Sequence, residues 1–254
     1  MATTSISMQM TPVLRYVLQR ADDALILGHR LSEWCGSAPM MEEEMALANM
    51  GLDLIGQARA LYGYAAELAG PGMTEDDFAY RRNERDFGNL LLLEQPNGDF
   101  AQTMVRQFLY SAFIDLYWRA LVNSPDATLA AIAAKAEKES AYHVRHSAEW
   151  VIRLGDGTEE SHQRAQKAID KLWPYTGELF AAEGDDVSAI APDPSGLRAA
   201  WLASVKDVLT HATLRLPTDG WMQQGGRHGT HSEHLGHLLA EMQILPRTYP
   251  GAVW

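Results

Sequence analysis

The stretch over residues 131–157 constrains the fold of this chain more than any other, because its apolar residues recur with the spacing of one helix face. Gly155 and Gly157 end that helix. Within it, Glu139 and His143 stand four residues apart, so their side chains point to the same side. A carboxylate and an imidazole one turn apart on a long helix are typical of metal sites inside helical bundles. The stretch therefore predicts a bundle, in which a metal site would need further ligands from other helices.

Similar periodicity and clear end signals predict helices along most of the chain. The predicted helices cover about 12–34, 37–69, 99–123, 129–155, 158–173 and 193–211, with a last one beginning near 230. The second helix would be about 45 Å long at about 1.5 Å per residue. Residues 71–98 form a polar connection, whose length suits a crossover between two helix pairs better than a tight turn. The tail at 246–254 is predicted to be irregular.

No alternating strand pattern or short-period repeat interrupts these helices. Long helices joined by short loops indicate an all-α fold, a ferritin-like four-helix bundle over about residues 11–156. Additional C-terminal helices are predicted over about 158–254. We expect residues 1–254 to form a single ferritin-like helical domain, since 254 residues are enough to bury a sizeable core.

Charge and composition exclude several classes of function. The formal net charge of -12 and the pI near 5.1 argue against nucleic-acid binding, which needs a basic surface, and disfavour anionic membranes. The sequence has no run of about 18 apolar residues, so no membrane span is predicted, and its N-terminus lacks the features of a signal peptide. Cys35 is the single cysteine, so an internal disulfide is excluded. We expect a buried thiol in a protein of the reducing cytoplasm.

A di-iron centre in such a bundle needs a Glu from each of two helices and Glu-x-x-His from each of the other two. Four carboxylates are required because they bridge two iron ions and balance their charge. In the second long helix the expected pair falls on Leu54 and Gln57, and in the fourth Ser140 stands three residues before His143. The inward side of the first helix near residues 25–28 is apolar. The pattern predicts a degenerate di-iron pocket and no metal or cofactor in this chain.

Four polar residues lie near the expected ligand positions of the second and fourth helices: Asp53, Gln57, Glu139 and His143. We expect them to form a buried hydrogen-bonded network, which needs no ion if every group finds a partner. An alternative stays open, since the zinc motif H-E-x-x-H also joins two ligands four residues apart. Asp53, Glu139 and His143 could then form an atypical metal site, and the chain would be a metal-dependent oxygenase in its own right.

A second group of candidate ligands lies near the C-terminus, where His228, His231, His234 and His237 accompany Glu233. Residues spaced by three drift round a helix, so these histidines do not share one tight face. His234 with His237, or Glu233 with His237, could bind zinc adventitiously, but exposed or interfacial polar residues are the simpler interpretation. Neither a phosphate-binding loop with Lys-Ser/Thr nor the nucleophile motif G-x-S-x-G is present.

Several long runs of residues resemble one known family, the C subunits of ring-1,2-phenylacetyl-CoA epoxidase. The runs that carry the resemblance are 30–36, 52–59, 149–158, 233–243 and 247–251. The resemblance covers nearly the whole chain. It implies a component of a bacterial monooxygenase of aerobic phenylacetate degradation that is built from several subunits and located in the cytoplasm.

The resemblance also implies partners. In this family the catalytic A subunit carries the di-iron centre and binds the CoA thioester, while the C subunit is a related bundle that has lost the ligands and supports A. Small B and reductase subunits complete the system. Leu54, Gln57 and Ser140 agree with such a non-catalytic structural subunit. A homodimer is plausible when the chain is alone, and a homo-oligomeric binding protein with a ligand in the bundle is a further alternative.

Overall fold

The computed structural model describes residues 8–182 and 185–252, and this part of the chain contains helices and no β-strand. In chain order the α-helices are α1 (Pro12–Ser32), α2 (Met41–Ala69), α3 (Glu75–Tyr80), α4 (Leu91–Glu94), α5 (Phe100–Leu121), α6 (Ala127–Gly155), α7 (Glu159–Leu172), α8 (Arg198–His211) and α9 (Glu233–Thr248). The long helix α1 packs along α2, and α5 packs along α6. These two pairs form the ferritin-like bundle, so the predicted all-α fold class is confirmed.

Side-chain caps set the starts of the long helices. Oγ1 of Thr11 accepts a hydrogen bond from the backbone N–H of Leu14 at 3.2 Å, and Pro12 takes the first helical position of α1. The carboxylate of Asp99 accepts from the N–H of Gln102 at 2.9 Å at the start of α5. Both starts agree with the sequence. α2 begins at Met41, a few residues later than predicted, and no side chain caps it.

The connection between α2 and α5 holds α3, a 3-10 turn (Glu84–Asp86) and α4. Its apolar side chains are buried in the core of the bundle, as expected for a crossover: Phe78, Phe87, Leu90, Leu91, Leu92 and Leu93. Not all of the polar side chains of this connection face solvent, however. Arg82, Asn89 and Glu94 are also buried, because hydrogen-bond partners inside the molecule replace water.

The C-terminal helices cover the bundle and its connection. α7 packs against α5 and α6, α8 packs against the same two helices, and α9 packs against α3. α8 begins at Arg198 rather than near 193, because a 3-10 turn (Pro194–Leu197) precedes it. Trp201 of α8 is buried, and its indole N–H donates to the carbonyl oxygen of Leu109 at 2.9 Å. The tryptophan thereby fixes α8 on α5.

The predicted irregular tail is partly helical. α9 begins at Glu233, slightly later than expected, and continues through Pro246 to Thr248. Proline costs only one helical hydrogen bond so near the end. The guanidinium of Arg247 compensates, since it donates to the carbonyl oxygens of Tyr80 at 3.1 Å and Arg82 at 2.7 Å. The last part of the predicted tail, residues 253–254, lies outside the described residues.

Two further expectations concern exposure. Cys35 was expected to be buried, but it is exposed, because it lies in the turn after the last buried residue of α1. Among the described residues, no helix combines the length and the apolar character needed to cross a membrane.

Candidate functional site

The predicted site residues lie on facing sides of two long helices, in a strip that we call the α2–α6 seam (Asp53 and Gln57 on α2, Glu139 and His143 on α6). Two hydrogen bonds cross the strip. Nε2 of His143 lies 3.1 Å from Oδ2 of Asp53. Nε2 of Gln57 donates to Oε2 of Glu139 at 2.8 Å. The structure therefore brings all four residues together, as two pairs.

The α2–α6 seam is not closed off from solvent. The side chain of His143 is 2% exposed, but that of its partner Asp53 is 37% exposed. Lys135 approaches from the surface, with Nζ 3.5 Å from Oε1 of Glu139. The prediction of a buried network is therefore wrong for Asp53, which lies beside exposed Leu52 at the edge of the buried face of α2.

A third pair extends the same strip of polar contacts between α2 and α6. Nε2 of His146 lies 2.9 Å from Oε2 of Glu43, in the first turn of α2. The ring of Tyr142 packs beside this imidazole, with 5.8 Å between the ring centroids. These contacts join the two helix pairs through side chains at several levels.

The donor types in this part of the bundle do not fit a di-iron centre. The positions where carboxylates and imidazoles are expected hold buried Leu54, Gln57 and Ser140. Within the described ranges, no group of three or more His, Cys, Asp or Glu side chains is arranged to hold a metal ion. Asp53 and Glu139 each already share a hydrogen bond with one neighbour. The arrangement favours contact between helices over metal binding.

A second set of charged residues is far more buried, and we call it the buried carboxylate cluster (Asp22, Asp23, Glu94 and Glu178). Asp22 of α1 forms an ion pair with Arg82, and both side chains are about 1% exposed. The carboxylate also accepts from the hydroxyl of Tyr62 at 2.6 Å and the N–H of Gly88 at 2.8 Å. Burial and the charge of Asp22 raise the pKa of Tyr62 well above its usual value.

Asp23 is the neighbouring residue on α1, and its side chain is fully buried. Its oxygens accept from both terminal nitrogens of Arg227, at 2.9 and 2.7 Å, and from the N–H of Leu90 at 2.8 Å. The fork of the guanidinium matches the two oxygens of the carboxylate. One side chain of α1 therefore fixes both the connection and a distant loop, since Asp23 and Arg227 are 204 positions apart in the sequence.

Glu178 also binds the connection and the loop that contains Arg227. Its carboxylate accepts from the N–H of Leu91 at 2.8 Å and from that of Gly225 at 3.0 Å. Burial raises its pKa, although these backbone N–H groups act in the opposite direction. The loop packs so closely that a Cβ atom on Gly226 would collide with the carbonyl oxygen of Asn89.

Glu94 of α4 binds the start of α9. It accepts from the N–H of Ser232 at 2.6 Å, and Nδ1 of His231 lies 2.8 Å from its second oxygen. Nε2 of the same imidazole lies 2.9 Å from the carbonyl oxygen of Phe87. Both ring nitrogens therefore face acceptors, which requires the protonated imidazolium. Burial lowers the pKa of His231, but the hydrogen bond and the charge of Glu94 outweigh this effect and raise it.

The buried carboxylate cluster was missed by the analysis of the sequence, although Asp22 and Asp23 carry a signal for it. Two adjacent carboxylates inside an apolar helix must be buried with cationic partners. Their partners, Arg82 and Arg227, come from the connection and the loop, which no helical spacing relates to α1. The cluster fixes irregular segments and leaves no carboxylate free for a metal.

The C-terminal histidines do not form one site. The side chain of His231 is fully buried against Glu94, whereas His228 and His237 are exposed. The interpretation as exposed or interfacial residues is therefore wrong for His231, because the loop before α9 turns its ring inward.

Comparison with known proteins gives the relatives of this chain. Residues 1–254 match the model of the family described as phenylacetic acid catabolic protein. The chain is 51% identical over 249 residues to the C subunit of 1,2-phenylacetyl-CoA epoxidase from Escherichia coli (strain K12). This alignment covers 96% of the chain and 100% of the relative. The resemblance deduced from residue runs is confirmed, and the chain belongs to the phenylacetic acid catabolic protein family.

Proposed function

We propose that this chain is a non-catalytic structural subunit of a multicomponent 1,2-phenylacetyl-CoA epoxidase, in which it supports a di-iron catalytic A subunit. One observation carries the proposal. Where a ferritin-like bundle needs Glu-x-x-His, this chain has buried Leu54 and Gln57 on α2 and buried Ser140 on α6. The Escherichia coli relative is named as one subunit of such an epoxidase, which supports the assignment to a complex of several subunits.

The carboxylates that remain in the interior support the same proposal. Asp22 and Asp23 are paired with arginines, and Glu94 is paired with His231. Releasing any of them to bind iron would leave a buried cation without its partner, which is energetically costly. Iron therefore resides in the partner subunit, with small B and reductase subunits completing the system in the cytoplasm.

The outer face of α2 offers a surface for the partner. Met41, Met45 and Leu52 follow one side of this helix, and their exposed fractions are 76%, 61% and 66%. Such a stripe of exposed apolar side chains marks a contact with another protein. An obligate interface of this kind buries about 2,000 Å² or more in total. The support is indirect, since packing against α2 keeps the ligand helices of the catalytic subunit in place.

The first test measures the iron content of the purified chain, expressed with iron supplied, by mass spectrometry. We expect less than about 0.1 iron per chain, because the donor set is incomplete. A value near two per chain would assign a working centre to this polypeptide and overturn the proposal.

The second test uses the assembled complex. Without this chain, the iron content and turnover of the catalytic subunit are expected to fall. The His143→Ala variant is expected to retain turnover in an intact complex, whereas a loss would favour the alternative oxygenase site of Asp53, Glu139 and His143. Assembly itself is tested with Met45→Asp, which should weaken it. Ile244→Asp is the matched control, because Ile244 is 58% exposed but lies on α9.

The same purified chain tests for self-association. A surface made for a related bundle accepts a second copy, so we expect a homodimer in analytical ultracentrifugation when the partner is absent. Met45→Asp should dissociate that dimer as well. Self-association that persists when the catalytic subunit is added in excess would favour a homo-oligomeric binding protein.

A further inference from the structure

A cleft of about 620 Å³ opens beside the first half of α1, between this helix, the connection and the loop that contains Arg227. Four arginines line it: Arg15, Arg82, Arg85 and Arg227. A second cleft of about 460 Å³ shares Arg15 and Arg227 and continues along α1. This concentration of guanidinium groups contrasts with the chain as a whole, whose formal net charge is -12.

Two of the four arginines are neutralised by carboxylates. Arg82 is paired with Asp22, and Arg227 is paired with Asp23. The carboxylate oxygens are shared with backbone N–H groups, so these pairs are fixed parts of the cleft wall. They shape the cleft and contribute little net charge.

Arg15 and Arg85 are different. Both side chains are exposed, and no ion pair joins either of them to a carboxylate within the described residues. Asp86 also lines the cleft, and its carboxylate accepts from the N–H of Asn83 at 2.9 Å. With Arg82 and Arg227 neutralised by Asp22 and Asp23, the cleft holds Arg15 and Arg85 against the carboxylate of Asp86, and exposed His228 lies beside them. Asp186 lines the adjoining cleft. This balance favours an anion.

Some apolar side chains also line the cleft. Met10, Leu18 and Phe87 line the cleft beside the arginines. Its volume lies within the range of about 300–1,000 Å³ that is usual for small-molecule sites. Guanidinium groups bind phosphate oxygens through paired hydrogen bonds, while apolar walls select a ligand that has a ring or an alkyl part.

We propose that this cleft binds a phosphorylated small molecule with an apolar or aromatic portion, whose phosphate is held by Arg15 and Arg85. The site goes beyond the structural role proposed above and does not depend on it. Arg15 belongs to α1 and Arg85 to the connection, so a bound phosphate joins two walls that are separate elements. Ligand binding therefore stabilises the connection against α1.

The test is isothermal titration calorimetry on the full chain at low ionic strength. Adenosine 5′-monophosphate, which also carries one phosphate, is the organic probe and inorganic phosphate is the comparison. We expect the nucleotide to bind at least about tenfold more tightly than inorganic phosphate, because it also contacts the apolar wall. Equal affinities, or no heat up to about 1 mM nucleotide, would overturn the proposal.

The variants Arg15→Gln and Arg85→Gln assign the site. Each should weaken nucleotide binding about tenfold, because each removes a charge-assisted hydrogen bond. Arg145→Gln is the matched control, since Arg145 is an exposed arginine on α6, outside the cleft. The thermal unfolding temperature of each variant verifies folding, because the two replaced side chains are exposed. Binding that survives both substitutions, or falls equally in the control, contradicts a site at this cleft.

Discussion

The α2–α6 seam and the buried carboxylate cluster use the same kinds of side chain in opposite settings. At the seam, His143 faces Asp53, whose side chain is 37% exposed, so water can compete for this carboxylate. In the cluster, Asp22 and Arg82 are both about 1% exposed, so water cannot take the place of either charge. We therefore expect the strength of a polar pair in this protein to depend on its burial more than on its chemistry.

The two regions also differ in what they join. Seam contacts connect two regular helices, whose backbone N–H groups are bonded mainly within each helix. Cluster contacts hold segments without regular structure, whose backbone N–H groups need acceptors inside the molecule. Asp22, Asp23 and Glu178 each accept from at least one backbone N–H of residues 88–91. The cluster is therefore the region where single substitutions should have large effects.

The largest expected effect is that of Asp22→Ala. It leaves the guanidinium of Arg82 buried without a counter-ion and removes the acceptor of the Gly88 N–H, so the free energy of unfolding should fall by about 3–5 kcal/mol. Urea unfolding followed by circular dichroism measures it. The matched substitution Asp53→Ala at the seam should cost less than about 1 kcal/mol. Similar losses in both variants would remove the distinction between the two regions.

The next effect comes from the loop that reaches the cluster. Gly226→Ala places a Cβ against the carbonyl oxygen of Asn89 and 3.1 Å from the backbone nitrogen of Leu91. Because the backbone cannot move aside as a side chain does, we expect the free energy of unfolding to fall by about 1–3 kcal/mol. Hydrogen exchange at residues 88–91 should become faster. Gly220→Ala is the control, because its Cβ would meet nothing within 4 Å. Unchanged exchange in Gly226→Ala would show that the loop is not held as described.

The contrast between these regions explains how much the sequence could predict. Thr11 and Asp99 cap helices through residues three positions further on, and Glu139 and His143 share a helix face because they stand four residues apart. Spacing and capping rules therefore identified the helices and the seam residues. Asp23 binds Arg227 across 204 positions, and no periodicity relates them. Contacts of that kind follow from the path of irregular chain, which local rules do not determine.

Solvent exposure of single side chains was the second property that local sequence rules could not predict. Helical spacing identified Asp53 and His143 as candidate site residues, but it did not show how much of the Asp53 side chain is exposed to solvent. The opposite error occurred at His231, where spacing within a histidine-rich segment suggested an exposed residue. Its ring is buried because the preceding glycine-rich loop directs it toward Glu94.

A smaller effect depends on pH and belongs to the cluster. The pKa of His231 is raised above its ordinary value of 6.5 in the folded state, so its charged pair with Glu94 contributes fully below pH 6.5. That contribution is lost as pH rises through the raised pKa. The difference in urea midpoint between the wild type and His231→Gln should therefore be constant below pH 6.5 and shrink as the pH rises through the raised pKa. A difference independent of pH would mean that the imidazole is neutral.

The smallest effect is the coupling between Asp53 and His143 at the seam. A double-mutant cycle with Asp53→Asn and His143→Gln should give about 0.2–1 kcal/mol, because solvent screens the exposed carboxylate. The matched cycle with Asp22→Asn and Arg82→Met should give a larger coupling, because both of these groups are buried and charged. If the coupling energy at the seam exceeds that in the cluster, exposure does not determine the strength of these pairs. The case for Asp53 and His143 as ligands of a functional site then becomes stronger.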